Sequence, residues 1–181
     1  MDVESTSSSG WKNWNECTVC GQHFYGKVQL AMGWECWKTY VRLDAQHARY
    51  RAMNTLGDAL RADGQVELAL SAFKATLPIL EHMGPGWFSG TLIVKENIAT
   101  CLHQMGRDEE ALSMEREVYQ LNLRLRGPTN EHTLVTVCNV ASSLLNLGRY
   151  EEAARMTRSH VGPAQKKLGA DTTSCFGLNN I

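Results

Sequence analysis

Two cysteines near the start of the sequence stand at a spacing that suits a metal ion. Cys17 and Cys20 are separated by two residues, and a short turn of this length directs both thiolates at one metal ion at about 2.3 Å. A structural zinc site needs four ligands, and no second Cys-x2-Cys pair follows. The residues available to complete the set are His23, Cys36 and His47. One hypothesis for this segment is therefore a zinc ion held by Cys17, Cys20, His23 and Cys36.

With Gly21 directly after the second cysteine and Phe24 nearby, the segment resembles the first half of a small zinc finger. A second interpretation treats the cysteine pair as a relic in a loop, followed by a tryptophan-rich helix over residues 28–43 that caps the rest of the chain. A thioredoxin-like redox pair would need a preceding strand in a βαβ setting. The sequence shows neither of these features, which disfavours redox chemistry.

Outside this segment, no arrangement of residues indicates catalysis. The sequence has no phosphate-binding glycine loop, no His-Glu-x-x-His and no Gly-x-Ser-x-Gly. Its acidic residues cluster at predicted helix starts, where the positive end of the helix dipole explains them. We therefore expect a protein that is not an enzyme and that has no cofactor apart from the structural zinc of the hypothesis above.

Composition excludes two further classes of partner. With 18 basic and 19 acidic residues, the chain lacks the basic excess of a nucleic-acid surface. The sequence has no run of 18 or more apolar residues, which is the length that a membrane-spanning helix requires. Residues 1–10 are acidic and serine-rich and lack the features of a signal peptide, so we predict a disordered tail on a cytoplasmic protein. The six cysteines are then expected to stay reduced.

The elements that position any site are given by an internal repeat of 42 residues. Segments 54–64, 96–106 and 138–148 align without a gap. One face of a first helix is marked by an apolar residue, a small residue and a leucine at i, i+1 and i+4. A glycine then ends that helix, and an alanine follows in a second helix. The columns are Leu56, Ile98 and Val140; Gly57, Ala99 and Ala141; Leu60, Leu102 and Leu144; Gly64, Gly106 and Gly148; and Ala69, Ala111 and Ala153.

This pattern resembles the tetratricopeptide repeat, and its period, longer than the usual period of about 34 residues, resembles that of kinesin light chains. The resemblance implies an all-α fold: a right-handed solenoid of antiparallel helix hairpins, with about three repeats and an N-terminal cysteine-containing appendage. We place the appendage at 11–47 and the repeats at 48–90, 91–132 and 133–170. The start of a fourth repeat is assigned to 171–181.

Two features depart from a regular array. Pro78 and Gly162-Pro163 fall within the second helices of the first and third repeats, and an interior proline is expected to bend or shorten a helix. The sequence also ends at Ile181 without a polar capping helix, which a solenoid needs to cover its last apolar face. We therefore keep open a truncated fragment of a longer repeat protein, and self-association through the uncapped last repeat.

The resemblance also implies a binding surface on the first helices, which line the inner face of such arrays. An asparagine that recurs there bonds a peptide backbone, because an amide is both a donor and an acceptor. The main prediction is a protein–protein interaction scaffold that binds a peptide segment of an unidentified partner in this groove. The alternative is a zinc-stabilised adaptor with a second binding site in the cysteine segment. Asparagines carrying the role are Asn97, Asn139 and, one position early, Asn54, and neighbours on the same face include Arg51, Arg61, His103 and Asn146, whose two arginines favour a mildly acidic peptide.

Overall fold

Seven α-helices make up most of the chain that the structure describes. The structure is a computed structural model that describes residue 11, residues 13–43 and residues 45–168, with side chains up to His160. Residues 1–10 and 171–181, assigned above to a tail and to a fourth repeat, lie outside that part. The helices are α1 (Gly26–Tyr40), α2 (Gln46–Ala62), α3 (Val66–Met83), α4 (Phe88–Gln104), α5 (Asp108–Arg126), α6 (Glu131–Asn146) and α7 (Tyr150–Leu168), with a 3-10 turn at Pro85–Trp87.

The helix boundaries confirm the all-α repeat fold and its period. Helices α3, α5 and α7 begin at Val66, Asp108 and Tyr150, and so preserve the spacing of 42 residues. The repeated glycine lies just before each of these helices and has a φ between +71° and +82° in all three repeats. Glycine adopts this left-handed conformation at little cost, which explains why it occupies this position every time.

The chain divides into two compact units, one ending at Met105 and the other beginning at Gly106. In the first unit, α2 packs against both α1 and α3, and α3 packs against α4. In the second unit, α6 packs against both α5 and α7. Each contact joins helices that are consecutive in sequence and connected by a short turn, as in a helical hairpin. In the described part, no helix combines the length and the apolar character that crossing a lipid bilayer requires.

The small-residue column lies where helices approach closely, but its contacts differ between repeats. In the first unit, a Cβ added at Gly57 would lie 2.6 Å from Cε1 of Phe73, whose side chain is fully buried. In the second unit, Ala141 packs in one apolar cluster with Val140 and Ala153. The first repeat therefore uses glycine because the opposing helix carries a large ring.

The expectation that interior prolines would shorten the second helices is wrong. Helix α3 runs through Pro78 for 18 residues, and α7 runs through Gly162-Pro163 for 19 residues. Thr76 and Leu80 are buried on either side of Pro78, and this packing holds both halves of α3 in place despite the hydrogen bond that proline removes.

The N-terminal appendage packs onto the first repeat. Helix α1 begins and ends two or three residues before the predicted range of 28–43. The ring of Trp11 stacks on Tyr40 with a centroid distance of 4.7 Å and an interplanar angle of 29°. A cluster of buried residues joins this pair to α2, and its members are Trp11, Cys36, Tyr40, Ala48 and Ala52.

Candidate functional site

One face of α2 lines a cleft of about 410 Å³ in the first unit. The face follows the spacing of three and four residues that aligns side chains on a helix. The opposite wall comes from the 3-10 turn and the start of α4, the first helix of the second repeat, and one end is closed by the appendage. The lining residues are His47, Tyr50, Arg51, Asn54, Thr55 and Asp58 of α2, Trp87 and Ile93 of the opposite wall, and Trp11 and Asn15 of the appendage.

Aromatic rings form much of the cleft wall. Tyr50 and Trp87 meet edge to face with a centroid distance of 6.0 Å, and His47 lies 6.1 Å from Trp87. At the appendage end, the guanidinium carbon of Arg51 lies 4.6 Å from the ring centroid of Trp11. This is a cation–π contact, which orients the guanidinium at the appendage end of the cleft.

The asparagines predicted to bind a peptide backbone are partly engaged with each other. The side-chain Nδ2 of Asn97 donates to Oδ1 of Asn54 over 3.3 Å, and Nδ2 of Asn54 donates to Oδ2 of Asp58 over 3.2 Å. A chain of polar groups therefore runs from α4 to α2. Asn54, although one position early in the repeat, is the residue that Asn97 contacts.

Arg61 is paired with a carboxylate through one terminal nitrogen, while its buried Nε has no hydrogen-bond partner among the described residues. Its guanidinium lies 3.6 Å from Asp58. Burial raises the pKa of Asp58 above its usual range, and the charge and hydrogen bond of Arg61 oppose that rise. Of the two arginines predicted to favour an acidic peptide, only Arg51 has no carboxylate partner among the described residues.

Trp11, which lines the same end of the cleft, has a buried donor without a partner. Trp11 is buried to the extent that only 4% of its surface is exposed, and its indole Nε1 has no hydrogen-bond acceptor within the described part of the chain. A buried donor without an acceptor costs about 1–3 kcal/mol.

The remaining predicted groove residues lie elsewhere. His103 is half-buried near the end of α4. On α6, in the second unit, Asn139 and Asn146 are both exposed. The structure therefore brings Arg51, Asn54 and Asn97 together in the first unit.

The two cysteines of the predicted metal site form a hairpin. Glu16 and His23 face each other in an antiparallel bridge. The backbone N–H of Cys17 donates to the carbonyl of Gln22, and the N–H of Gly21 donates to the carbonyl of Cys17, both over 2.8 Å. Hydrogen bonds from the backbone of Cys20 and Val19, and from the Cys20 thiol, lower the pKa of the Cys17 thiol.

Cys36 does not join this hairpin, so the predicted four-ligand set is not assembled. Its side chain is fully buried in the cluster with Trp11 and Tyr40, and burial raises the pKa of its thiol to about 12. His23 is exposed and lies 3.7 Å from a carboxylate oxygen of Glu16. In the described residues, no three His, Cys, Asp or Glu side chains come close enough together to hold one metal ion.

Several residues of the cleft were missed by the sequence analysis. His47, Tyr50 and Thr55 share a helix face with Arg51 and Asn54, so helical spacing alone was enough to find them. Helical spacing could not identify Trp11 and Trp87 as cleft residues, because one comes from the appendage and the other from the turn before α4.

Comparison with protein families supports the repeat assignment. Residues 90–159 match the family described as Tetratricopeptide repeat. Tetratricopeptide repeats are therefore shown for residues 90–159. Repeats of this family generally mediate protein–protein interactions and are typically scaffolds without catalytic activity. A comparison with curated protein sequences gives no match.

Solved structures with kinesin-light-chain-type repeats share the fold. One match is a crystal structure of a protein from Podosopora anserina that is described as a kinesin light chain and whose TPR-like repeats are nearly identical to one another. It has a TM-score of 0.68 and 18% identity, over 77% of this chain and 67% of that chain. A single-substitution variant of those repeats gives the same score and identity over 77% and 66%. BtubC (BKLC) from P. vanneervenii matches with a TM-score of 0.63 and 15% identity, over 78% and 54%. The matched region thus spans between 54% and 67% of these chains, and at such identities the likeness shows the fold alone.

Proposed function

We propose that this protein is a non-catalytic scaffold that binds an extended peptide segment of a partner protein in the cleft between α2 and α4. The observation that carries the proposal is the Arg51 guanidinium, which is held over the Trp11 ring at one end of the cleft and has no carboxylate partner among the described residues. A peptide carries both backbone carbonyls and side-chain carboxylates, and these are the acceptors that a guanidinium needs.

The rest of the cleft suits the same ligand. Apolar side chains of a peptide are expected to pack on Tyr50 and Trp87, which bury much area with little loss of rotamer freedom. Asn97 does not line the cleft itself but donates from its amide nitrogen to the lining residue Asn54. This hydrogen bond leaves the Asn97 carbonyl oxygen for a peptide N–H in the proposed complex. Since Asp58 already neutralises Arg61, we assign recognition of an acidic side chain to Arg51.

A reducing, cytoplasmic setting belongs to this proposal. Cys17, Cys20, Cys36, Cys101 and Cys138, which are the cysteines in the described ranges, are all free thiols. Persistent free thiols are typical of cytosolic proteins, whereas secreted proteins commonly form disulfides.

Peptides selected from a random library against the purified chain test the proposal. Arg51→Ala removes a charged donor, worth about 1.5–3 kcal/mol, so the selected peptide should bind about ten- to a hundred-fold more weakly. Asn97→Ala removes a neutral hydrogen bond of about 1 kcal/mol and should weaken binding about five-fold. Isothermal titration calorimetry measures both changes.

Lys74→Ala is the matched control, because Lys74 is an exposed cation on α3 and does not line the cleft. Its affinity for the selected peptide should equal that of the parent chain. The proposal fails if Arg51→Ala and Asn97→Ala bind the peptide as tightly as the Lys74→Ala control does, since the peptide would then occupy another surface.

A further inference from the structure

The cysteine hairpin is held in place before any ligand arrives. In addition to the bonds around Cys17, the N–H of Phe24 donates to the carbonyl of Asn15 over 2.8 Å and closes the base of the hairpin. A preformed turn binds a ligand without the entropy cost of ordering its backbone. The peptide cleft does not use this hairpin tip, whose residues 17–21 are absent from the cleft lining.

Cys17 and Cys20 lie on one tight turn of the hairpin. The N–H of Gly21, which donates to the carbonyl of Cys17, closes the turn that carries both residues, and Gly21 itself has a φ of +71°. Two thiolates within reach of each other can share one soft divalent ion such as Zn²⁺.

This part of the chain supplies only two of the four ligands that a tetrahedral zinc ion takes. Cys36 is locked in the core beside Tyr40, and no three of the described His, Cys, Asp and Glu side chains form a group. The missing pair must have the same chemistry, because two soft thiolates already select a metal that prefers sulfur or imidazole.

We propose that Cys17 and Cys20 bind one zinc ion together with the same two cysteines of a second copy of the chain. A two-fold axis through the metal would give a tetrahedral site of four sulfurs and a self-complementary contact. Each of the four thiols loses its proton on binding, so zinc uptake releases four protons for each ion and yields a site of net charge −2.

The hairpin tip carries an apolar contact for that second copy. Val19 lies between the two cysteines and is 93% exposed, which makes it the most exposed large apolar side chain in the described structure. Two hairpins joined through a shared metal ion bring both copies of Val19 to the interface. Burying each of them favours the association.

The test uses the full chain, reduced and then supplied with zinc chloride. After removal of excess metal, zinc is counted by elemental mass spectrometry and molar mass is measured by light scattering. We expect about half a zinc ion per chain and a mass twice that of the 20.2 kDa chain. Cys17→Ser and Cys20→Ser should each abolish both zinc retention and dimerisation, with helix content unchanged by circular dichroism.

Two controls and three outcomes decide the proposal. His23→Ala and Cys138→Ser should keep both the zinc and the dimer. One zinc ion on a monomer overturns the shared site, because the remaining ligands would then come from the same chain. Absence of retained zinc in the parent chain overturns the site altogether, and zinc retained by both serine variants places the metal elsewhere. None of these results depends on peptide binding by the cleft.

Discussion

Gly57→Ala tests whether the close approach of α2 and α3 determines the residue in the small column of the first repeat. The new Cβ would lie 2.6 Å from Cε1 and 2.7 Å from Cζ of Phe73. The Phe73 ring is fully buried in the first unit, so it has no solvent into which it can move. One of the two helices must therefore shift to accept the methyl group.

Two effects of opposite sign set the size of the change. Replacing glycine by alanine inside a helix stabilises the fold by about 1 kcal/mol. Overpacking of a buried contact costs about 1–3 kcal/mol, and a contact this short on a fixed ring lies at the upper end of that range. We therefore expect Gly57→Ala to lower the free energy of unfolding of the first unit by about 2 kcal/mol.

A double-mutant cycle with Phe73→Leu isolates the contact. In the leucine background the ring is gone, so Gly57→Ala should show only its helix preference and stabilise by about 1 kcal/mol. The coupling energy between the two positions is then about 3 kcal/mol. Urea unfolding followed by circular dichroism measures it, and hydrogen exchange of peptides from α2 and α3 assigns it to the first unit. A Gly57→Ala protein that is more stable than its parent with Phe73 in place would refute the packing argument.

Two further predictions concern a buried thiol and a helix cap. Cys36 should resist alkylation by iodoacetamide in the native protein while exposed Cys20 reacts, because burial raises the pKa of the Cys36 thiol to about 12 from 9.0. The stability that the neutral Cys36 thiol contributes to the fold is present below pH 9 and is lost as the pH rises toward 12. Equal labelling of both residues by mass spectrometry would contradict this. Asn130→Ala removes the acceptor for the His132 N–H at the start of α6 and should cost about 1 kcal/mol in urea unfolding; an unchanged midpoint would mean that the cap does not contribute.

The repeat fold was predictable because its signals are local and occur three times. Glycine before α3, α5 and α7 takes a positive φ in every repeat, so one physical requirement leaves three copies in the sequence. The effect of Pro78 was not predictable in this way. Whether a proline ends a helix depends on how firmly its neighbours are packed, and the burial of Thr76 and Leu80 is a tertiary property.

The candidate site was only half predictable for the same reason. Arg51, Asn54 and Asn97 lie on repeated first helices, and their helical positions placed them on one surface. The pairing of Arg61 with Asp58 was not anticipated, because no rule of spacing decides whether an arginine binds a ligand or a carboxylate three residues away. Cys36 was assigned to the metal by residue type alone, whereas its burial among aromatic side chains excludes it.

The specificity of the cleft depends on residues that do not repeat. Asparagines, leucines and glycines recur at the repeat spacing, so they provide a surface that any array of this kind can offer. The unpartnered donor Trp11 comes from the appendage, and Arg51 is oriented by its contact with that same ring. A substitution that detaches Trp11 from Tyr40 is therefore expected to alter peptide selection while leaving the helices of the second unit unchanged.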